Sequence, residues 1–463
     1  MAGESFKGSE TPRAGPSVDF SHGDLKVSPD RRHLIHADGT PFTWLADTAW
    51  ELFHRLSREE AELYLENRRQ KGFTVVQAVA LAELDGLHDP NPYGHRPLVD
   101  DDPTRPDIRE GPDNDYWDHV DWIIGSAEKK GLFIGLLPTW GDKVVKKWGV
   151  GPEIFDDRNA RTYGEFIGRR YASRPNIVWI LGGDRNEEGR IAIWRAMAEG
   201  IRSADSRHLI TYHPQGGASS SAWFHGERWL DFNMLQSGHG QRDFPNYEMV
   251  ERDYALSPPK PCLDGEMRYE DHPVNWKPEA SGWFDDVDVR QGAYWSILAG
   301  GFGHTYGCHN IWQMYAPGRR PMGHARRSWK DSLDLPGAFD MMHVRRLVES
   351  RPALLRVPDQ SLIVSGQGTG GAHVRAARAS DGSYAFVYIP TGRPVGVDLS
   401  RLSGAEAKAW WFDPRTGDAH LAGEFPTGRA QEFVPPGGER RGNDWVLVLD
   451  DASRGFAPPG KAR

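Results

Sequence analysis

Cysteine is almost missing from this chain: 463 residues contain two, Cys262 and Cys308. Both sit inside apolar, strand-like runs, so two buried thiols are expected rather than a disulfide framework. No apolar run approaches the roughly 20 residues of a membrane-spanning helix. The opening MAGESFKGSETPRAGPS lacks the apolar centre of a signal peptide. The expectation is a cytoplasmic chain, or one whose leader has been trimmed. Histidines are plentiful, including His213, His239, His304 and His309, yet no HExxH or His-x-His spacing occurs. Neither a catalytic metal nor a cofactor is therefore expected. No Gly-x-Ser-x-Gly elbow presents a nucleophilic serine, and no glycine-rich loop offers a phosphate cradle. One-sided charge is lacking too. The net charge of −9 is spread over interspersed acids and bases, which gives no reason to expect nucleic acid or a membrane as partner.

What is present is a large globular composition, 38% hydrophobic and 26% charged, enough for a large barrel plus a smaller module. Residues 1–22 read as a polar, disordered tail. Leu25–Val27 and His33–His36 read as a hairpin across the bottom of a barrel. A strand–helix alternation then runs through eight strands: 41–47, 74–81, 133–140, 176–183, 209–214, 232–238, 260–265 and 303–312. The intervening helices include one opened by the Ser57/Glu60 capping pair and others over about 115–130, 157–172, 188–203 and 336–349. This predicts a (β/α)₈ barrel over 23–352, in preference to an open doubly wound sheet. After residue 352 the pattern changes to short strands separated by turns such as Asp381-Gly382. That predicts an antiparallel β-sandwich over 353–452, followed by a polar tail at 453–463. The adjoining Trp410 and Trp411 should point to opposite faces of their strand.

Two strands end in the same way. NIVWILGGD is a continuous apolar run, two glycines and Asp184; KPCLDGE is a shorter run, Gly265 and Glu266. In a parallel barrel the side chains just past the carboxyl ends of the strands build the active site. Two carboxylates delivered there can flank a glycosidic bond as acid and nucleophile, about 5–5.5 Å apart if configuration is retained. Asp184 would then keep its proton through burial and the charge of Glu266, which itself stays ionised. Other strand ends supply Asp47, Trp50, Gln77, Trp140, His213, Gln236, His239, His309 and Trp312. These amides, acids and rings suit sugar hydroxyls and apolar sugar faces. Asp47 is the strongest of these helpers, because a short acid after an apolar strand is costly to bury without a polar task. The loops 83–114, 214–231, 267–284 and 313–335 all follow strands and would wall the same face.

PFTWLADTAWELFHRLSREEAELYLENRRQKGFTVVQ, NPYGHRPL, PTWGDKV, NIVWILGGDRN and KPCLDGE together resemble glycoside hydrolase family 140, the apiosidase-like barrels. The resemblance covers residues 23 to about 350, and the module after it is similar to a collagen-binding-type β-sandwich. It implies a retaining hydrolase with Asp184 as acid/base and Glu266 as nucleophile, acting on a terminal sugar of a plant-type glycan, a furanoside such as apiose. Most barrels of this clan carry Asn-Glu where this chain has Gly183-Asp184. The shorter acid must therefore approach its leaving group from closer to the backbone. An endo-acting glycanase of the same clan and a non-catalytic glycan-binding barrel are the competing readings.

Overall fold

The computed structural model describes residues 11–461. Eight parallel strands curl around a common axis: β1 (Trp44–Thr48), β2 (Val75–Leu81), β3 (Phe133–Thr139), β4 (Ile177–Gly182), β5 (Ile210–His213), β6 (Asn233–Gln236), β7 (Cys262–Glu266) and β8 (Gly303–Tyr306). β8 pairs with β1, and pairing then continues in order from β1 through to β5. β6 pairs with β7 in parallel. Backbone hydrogen bonds bridge the two seams, among them Asp231 N to Ile210 O at 2.9 Å and Phe302 N to Cys262 O at 3.1 Å. Helices α1 (Arg58–Gln70), α2 (Tyr116–Lys129), α3 (Asp157–Tyr171), α4 (Ile191–Ala204), α5 (Asn246–Tyr254), α6 (Asp286–Leu298) and α7 (Pro336–Glu349) form the outer layer. The predicted capping box holds α1, where Ser57 and Glu60 satisfy each other's backbone N–H groups.

The strand pleat sorts side chains into two cores. Trp44, Ala46, Val75, Val79, Val178, Ile180, Met234 and Leu263 fill the barrel interior. Leu45, Val76, Ala78, Trp179 and Leu181 face the helices. At the bottom, the hairpin Leu25–Val27 with Leu34–His36 closes the interior through Leu25 and Leu34.

Three expectations change. The eighth strand is shorter than 303–312, because the chain turns into a helical segment at His309–Trp312. The 214–231 connection, read as a loop, holds a two-residue strand, Ala218–Ser219, and the short helix Ser221–Phe224. The part of the expected disordered tail that is described, 11–22, packs under the barrel. Ser17 N and Val18 N donate to Lys130 O and Gly131 O, Arg345 grips Ser17, and the Phe20 ring meets Phe133 edge-on at 5.0 Å. Residues 1–10 lie outside the described residues. At the other end Phe456 packs on the core, and 462–463 lie outside the described residues.

The C-terminal module is a β-sandwich of antiparallel sheets with six and three strands. Trp411 lies in its core, whereas Trp410 belongs with Tyr388, Phe412 and Val448 to the face continuous with the barrel core. Arg290 on α6 donates to both oxygens of Asp444 at 3.0 Å and to Asp340 at 2.7 Å. Tyr294 stacks on Tyr388 at 4.8 Å, and Trp295 Nε1 donates to His373 O at 2.9 Å. The sandwich thus completes the burial of α6. Cys262 and Cys308 are buried free thiols. Among the described residues, no helix is long and apolar enough to cross a membrane.

Candidate active site

A cavity of about 470 Å³ opens at the carboxyl ends of the strands. Its wall includes Asp184, Glu266, Glu83, Gln236, His239 and His272, with the rings of Trp50, Trp140, Trp148, Tyr269, Trp276 and Trp312. This mixture of apolar rings and a few convergent polar groups is what a small-molecule pocket needs.

The β4 end is shaped by backbone that only special residues tolerate. Gly182 and Gly183 have φ of 90° and 95°, and Asp184 follows at 58°. A Cβ on Gly182 would lie 2.2 Å from His213 O. A non-glycine residue held at positive φ between such neighbours costs energy and is characteristic of functional sites. This turn throws Asp184 off the strand and over the cavity. There Trp148 Nε1 donates to its Oδ2 at 2.7 Å, and its own N–H donates to His213 Nδ1 at 3.3 Å.

Glu266 ends β7 and lines the same cavity. His239 Nε2 donates to its Oε1 at 2.9 Å, and His213 Nε2 stands 3.1 Å from Oε2. Because His213 Nδ1 accepts from the Asp184 backbone, its ring proton sits on Nε2, the ring nitrogen beside Glu266. The Tyr269 hydroxyl faces Glu266 as well and accepts from Trp50 Nε1 at 3.2 Å.

The two carboxyls are tuned in opposite directions. Burial, then the charge of Glu266, pushes Asp184 up to about 6. Burial also acts to raise Glu266, but hydrogen bonding and charge from His213 and His239 outweigh it and bring the group down to about 2. Glu83 is a third carboxyl of the wall, held well above the usual range by burial and then by the charges of Asp142 and Asp184. In the weakly acidic range Asp184 therefore holds its proton while Glu266 is ionised. A proton donor facing an ionised carboxylate is the pairing that general acid catalysis with a nucleophile or electrostatic partner uses.

Of the residues expected at the mouth, Asp184, Glu266, Trp50, Trp140, Gln236, His239 and Trp312 line the cavity. His213 stands behind Glu266, fully buried. Three are corrected. Asp47 does not reach the cavity. It follows Leu45 onto the helix-facing side of β1, where Arg68 Nε and Tyr64 OH each meet its Oδ2 at 2.6 Å. Gln77 points inward but lies beneath the floor, its Nε2 donating to Gly265 O at 3.0 Å. His309 packs behind His272 at 4.4 Å, and its Nε2 donates to Gly323 O at 2.8 Å.

Glu83, Trp148, Tyr269, His272 and Trp276 were not foreseen. Glu83 had a signal, since it follows the β2 run much as Asp184 follows β4. Trp148 had none, being one tryptophan of a loop. Among the described residues, no group of three or more His, Cys, Asp or Glu side chains could hold a metal ion.

Comparison with known proteins identifies the family. Residues 28–354 match the family described as "Apiosidase-like, catalytic domain". Residues 357–450 match "Putative collagen-binding domain of a collagenase". A structure titled "Glycoside hydrolase" is 38% identical, covering 94% of this chain and 98% of its own, with a TM-score of 0.89. A second, described as a glycoside hydrolase family 5 protein from Bacteroides vulgatus, is 36% identical over 94% and 95% of the two chains, with a TM-score of 0.88. No curated protein matches. A match over most of the chain, carried by the barrel that bears the paired carboxyls, places this chain in the apiosidase-like family of glycoside hydrolases.

Proposed function

We propose that the chain is a retaining, exo-acting glycosidase that removes one terminal neutral sugar, a furanoside such as apiose, from a plant-type glycan or glycoside. Asp184 is the acid/base and Glu266 the nucleophile. The observation that carries this reading is the opposite tuning of two carboxyls in one cavity, Asp184 at about 6 and Glu266 at about 2. In the first step the Asp184 proton passes to the glycosidic oxygen as the bond from the anomeric carbon breaks, its electron pair going to that oxygen. A Glu266 oxygen bonds to the anomeric carbon. In the second step Asp184 takes a proton from water, whose oxygen displaces Glu266.

A neutral sugar is favoured because no lysine or arginine occurs among the described residues of the cavity wall, whereas three carboxyls do. A uronic acid would enter without a counter-charge. Trp148, Trp276 and Met322 wall the cavity, which suits an exo-acting enzyme. Family membership makes apiose the first sugar to try.

The test is a panel of aryl glycosides, furanosides included, followed by Asp184→Ala and Glu266→Ala. Glu266→Ala is expected to lose turnover of every glycoside. Asp184→Ala should still release an activated phenol and, with azide, give a glycosyl azide of retained configuration. Azide product of retained configuration from Glu266→Ala instead would exchange the two roles.

A further inference from the structure

The β3–α3 connection reaches over the acid. Trp148 lies in it, 39% exposed, with its indole N–H on Asp184 Oδ2 at 2.7 Å. The other side of this contact is clamped. The Arg185 guanidinium lies 4.3 Å from the Trp148 ring centroid and is fully buried. It donates to the carbonyls of Trp148, of Val145 at 2.8 Å and of Asp184 at 2.8 Å. The loop is pinned further along, where Gly151 N donates to Asp142 Oδ2 at 2.8 Å and Lys143 Nζ lies 2.9 Å from Asp142 Oδ1. One cation therefore fixes both the loop that carries the indole and the backbone that carries the acid.

An indole N–H can donate but cannot accept. An oxygen that already receives it is disfavoured as the site of a carboxyl proton directed along the same line. We propose that Trp148 is the positioning residue for the acid: by occupying Oδ2 it confines the transferable proton of Asp184 to Oδ1. This rests on the assignment of Asp184 as acid/base. When the proton leaves Oδ1 for the glycosidic oxygen, the indole bond becomes a charge-assisted one and strengthens. Trp148 thus stabilises the acid more after transfer than before it. When water later surrenders a proton, Oδ1 is again the free oxygen. The same bond lowers the proton affinity of Asp184, against the larger upward push from burial and from Glu266.

Trp148→Phe keeps the ring over Arg185 and removes only the donor. Two readouts separate positioning from packing. The alkaline limb of the kcat/KM profile should move to higher pH by roughly half a unit to one unit, since a bond to the charged form is lost. Glycosides whose leaving group must be protonated should slow by about 10- to 100-fold, within the range of general acid catalysis. Aryl glycosides of acidic phenols should keep their rate of glycosyl-enzyme formation. Equal losses on both substrate types with an unmoved limb would overturn the proposal, and so would no loss at all. Asp184→Asn is run in parallel with the melting temperature of each variant. If Asp184→Asn shows the leaving-group selectivity and Trp148→Phe does not, the positioning role falls and the acid assignment stands. If Asp184→Asn shows no such selectivity, the acid assignment itself falls. A Trp148→Phe protein that does not fold makes the residue a structural support of the loop and overturns the positioning role.

Discussion

Asp47 and Asp184 both follow apolar strands, yet the fold gives them unrelated work. Asp47 is fully buried against Arg68 and Tyr64 on the helix side of β1. Asp47→Ala should leave Arg68 buried without its carboxylate, and removing one partner of such a pair costs about 3–5 kcal/mol. Urea unfolding should show that loss, while the KM of the folded fraction stays at the wild-type value. A raised KM at unchanged stability would return Asp47 to the site. For Asp184 the check is the pH profile. As the proposed acid it must hold its proton, and its folded-state value is raised to about 6, so kcat/KM is expected to fall as pH rises through about 6. With Glu266 as the proposed nucleophile, the acidic limb is expected far lower, near 2, where its protonation would stop the attack. The linkage to stability has its own sign. A carboxyl raised above its unfolded value of 3.8 binds its proton more tightly in the folded state. Its contribution to stability is therefore lost as pH rises from 3.8 to about 6. Asp184→Asn should flatten this part of the stability profile, read as the urea midpoint against pH.

At the scale of an element, the turn that ends β4 decides whether the acid is delivered at all. Gly182, Gly183 and Asp184 all have positive φ, and a Cβ on Gly182 meets the His213 carbonyl at 2.2 Å. Gly182→Ala therefore forces either the turn or the end of β5 to shift. Because His213 also faces Glu266, both carboxyls lose their alignment together. A displacement near 1 Å can cost about 100-fold in rate. Gly182→Ala is expected to lower kcat/KM by about that factor on natural and activated substrates alike. This distinguishes it from Trp148→Phe, which spares the activated ones. Fluorescence and circular dichroism should show the barrel still folded.

Across the whole molecule, the sandwich serves as a wall of the barrel's helical layer. Tyr294, Trp295 and Met341 on the barrel share one continuous core with Tyr388, Trp410 and Phe412 of the sandwich. Arg290, buried at the junction, is held from both modules by Asp340 and Asp444. Truncation from residue 353 strips the cover from α6 and α7, and the shortened chain is expected to be insoluble. A soluble, fully active barrel would show instead that the module serves binding. Asp444→Ala is the milder form of this test. Asp340 and Asp286 remain to pair Arg290, so the loss should sit at the low end of the buried-pair range, about 3 kcal/mol by urea unfolding.

Sequence alone determined what depends on a few neighbouring residues. The alternation of apolar runs with capped amphipathic helices specified the barrel, and short strands between turns specified the sandwich. Glycine followed by a carboxylate marked both Asp184 and Glu266, because a parallel strand stops where its apolar run stops and its next side chain meets the cavity. Only the tertiary structure decided which way each other strand-end residue faces. One step of the pleat sends Asp47 to the helices, and the inward-facing Gln77 sits too deep to touch the cavity. Tertiary structure alone also brought Trp148 from a loop onto Asp184, set His213 between the Asp184 backbone and the Glu266 carboxyl, and packed 11–22 beneath the barrel. Those contacts join residues from about 30 to more than 300 positions apart in the chain. No local pattern records them, because they form only when the barrel closes and its loops fold back over the strand ends.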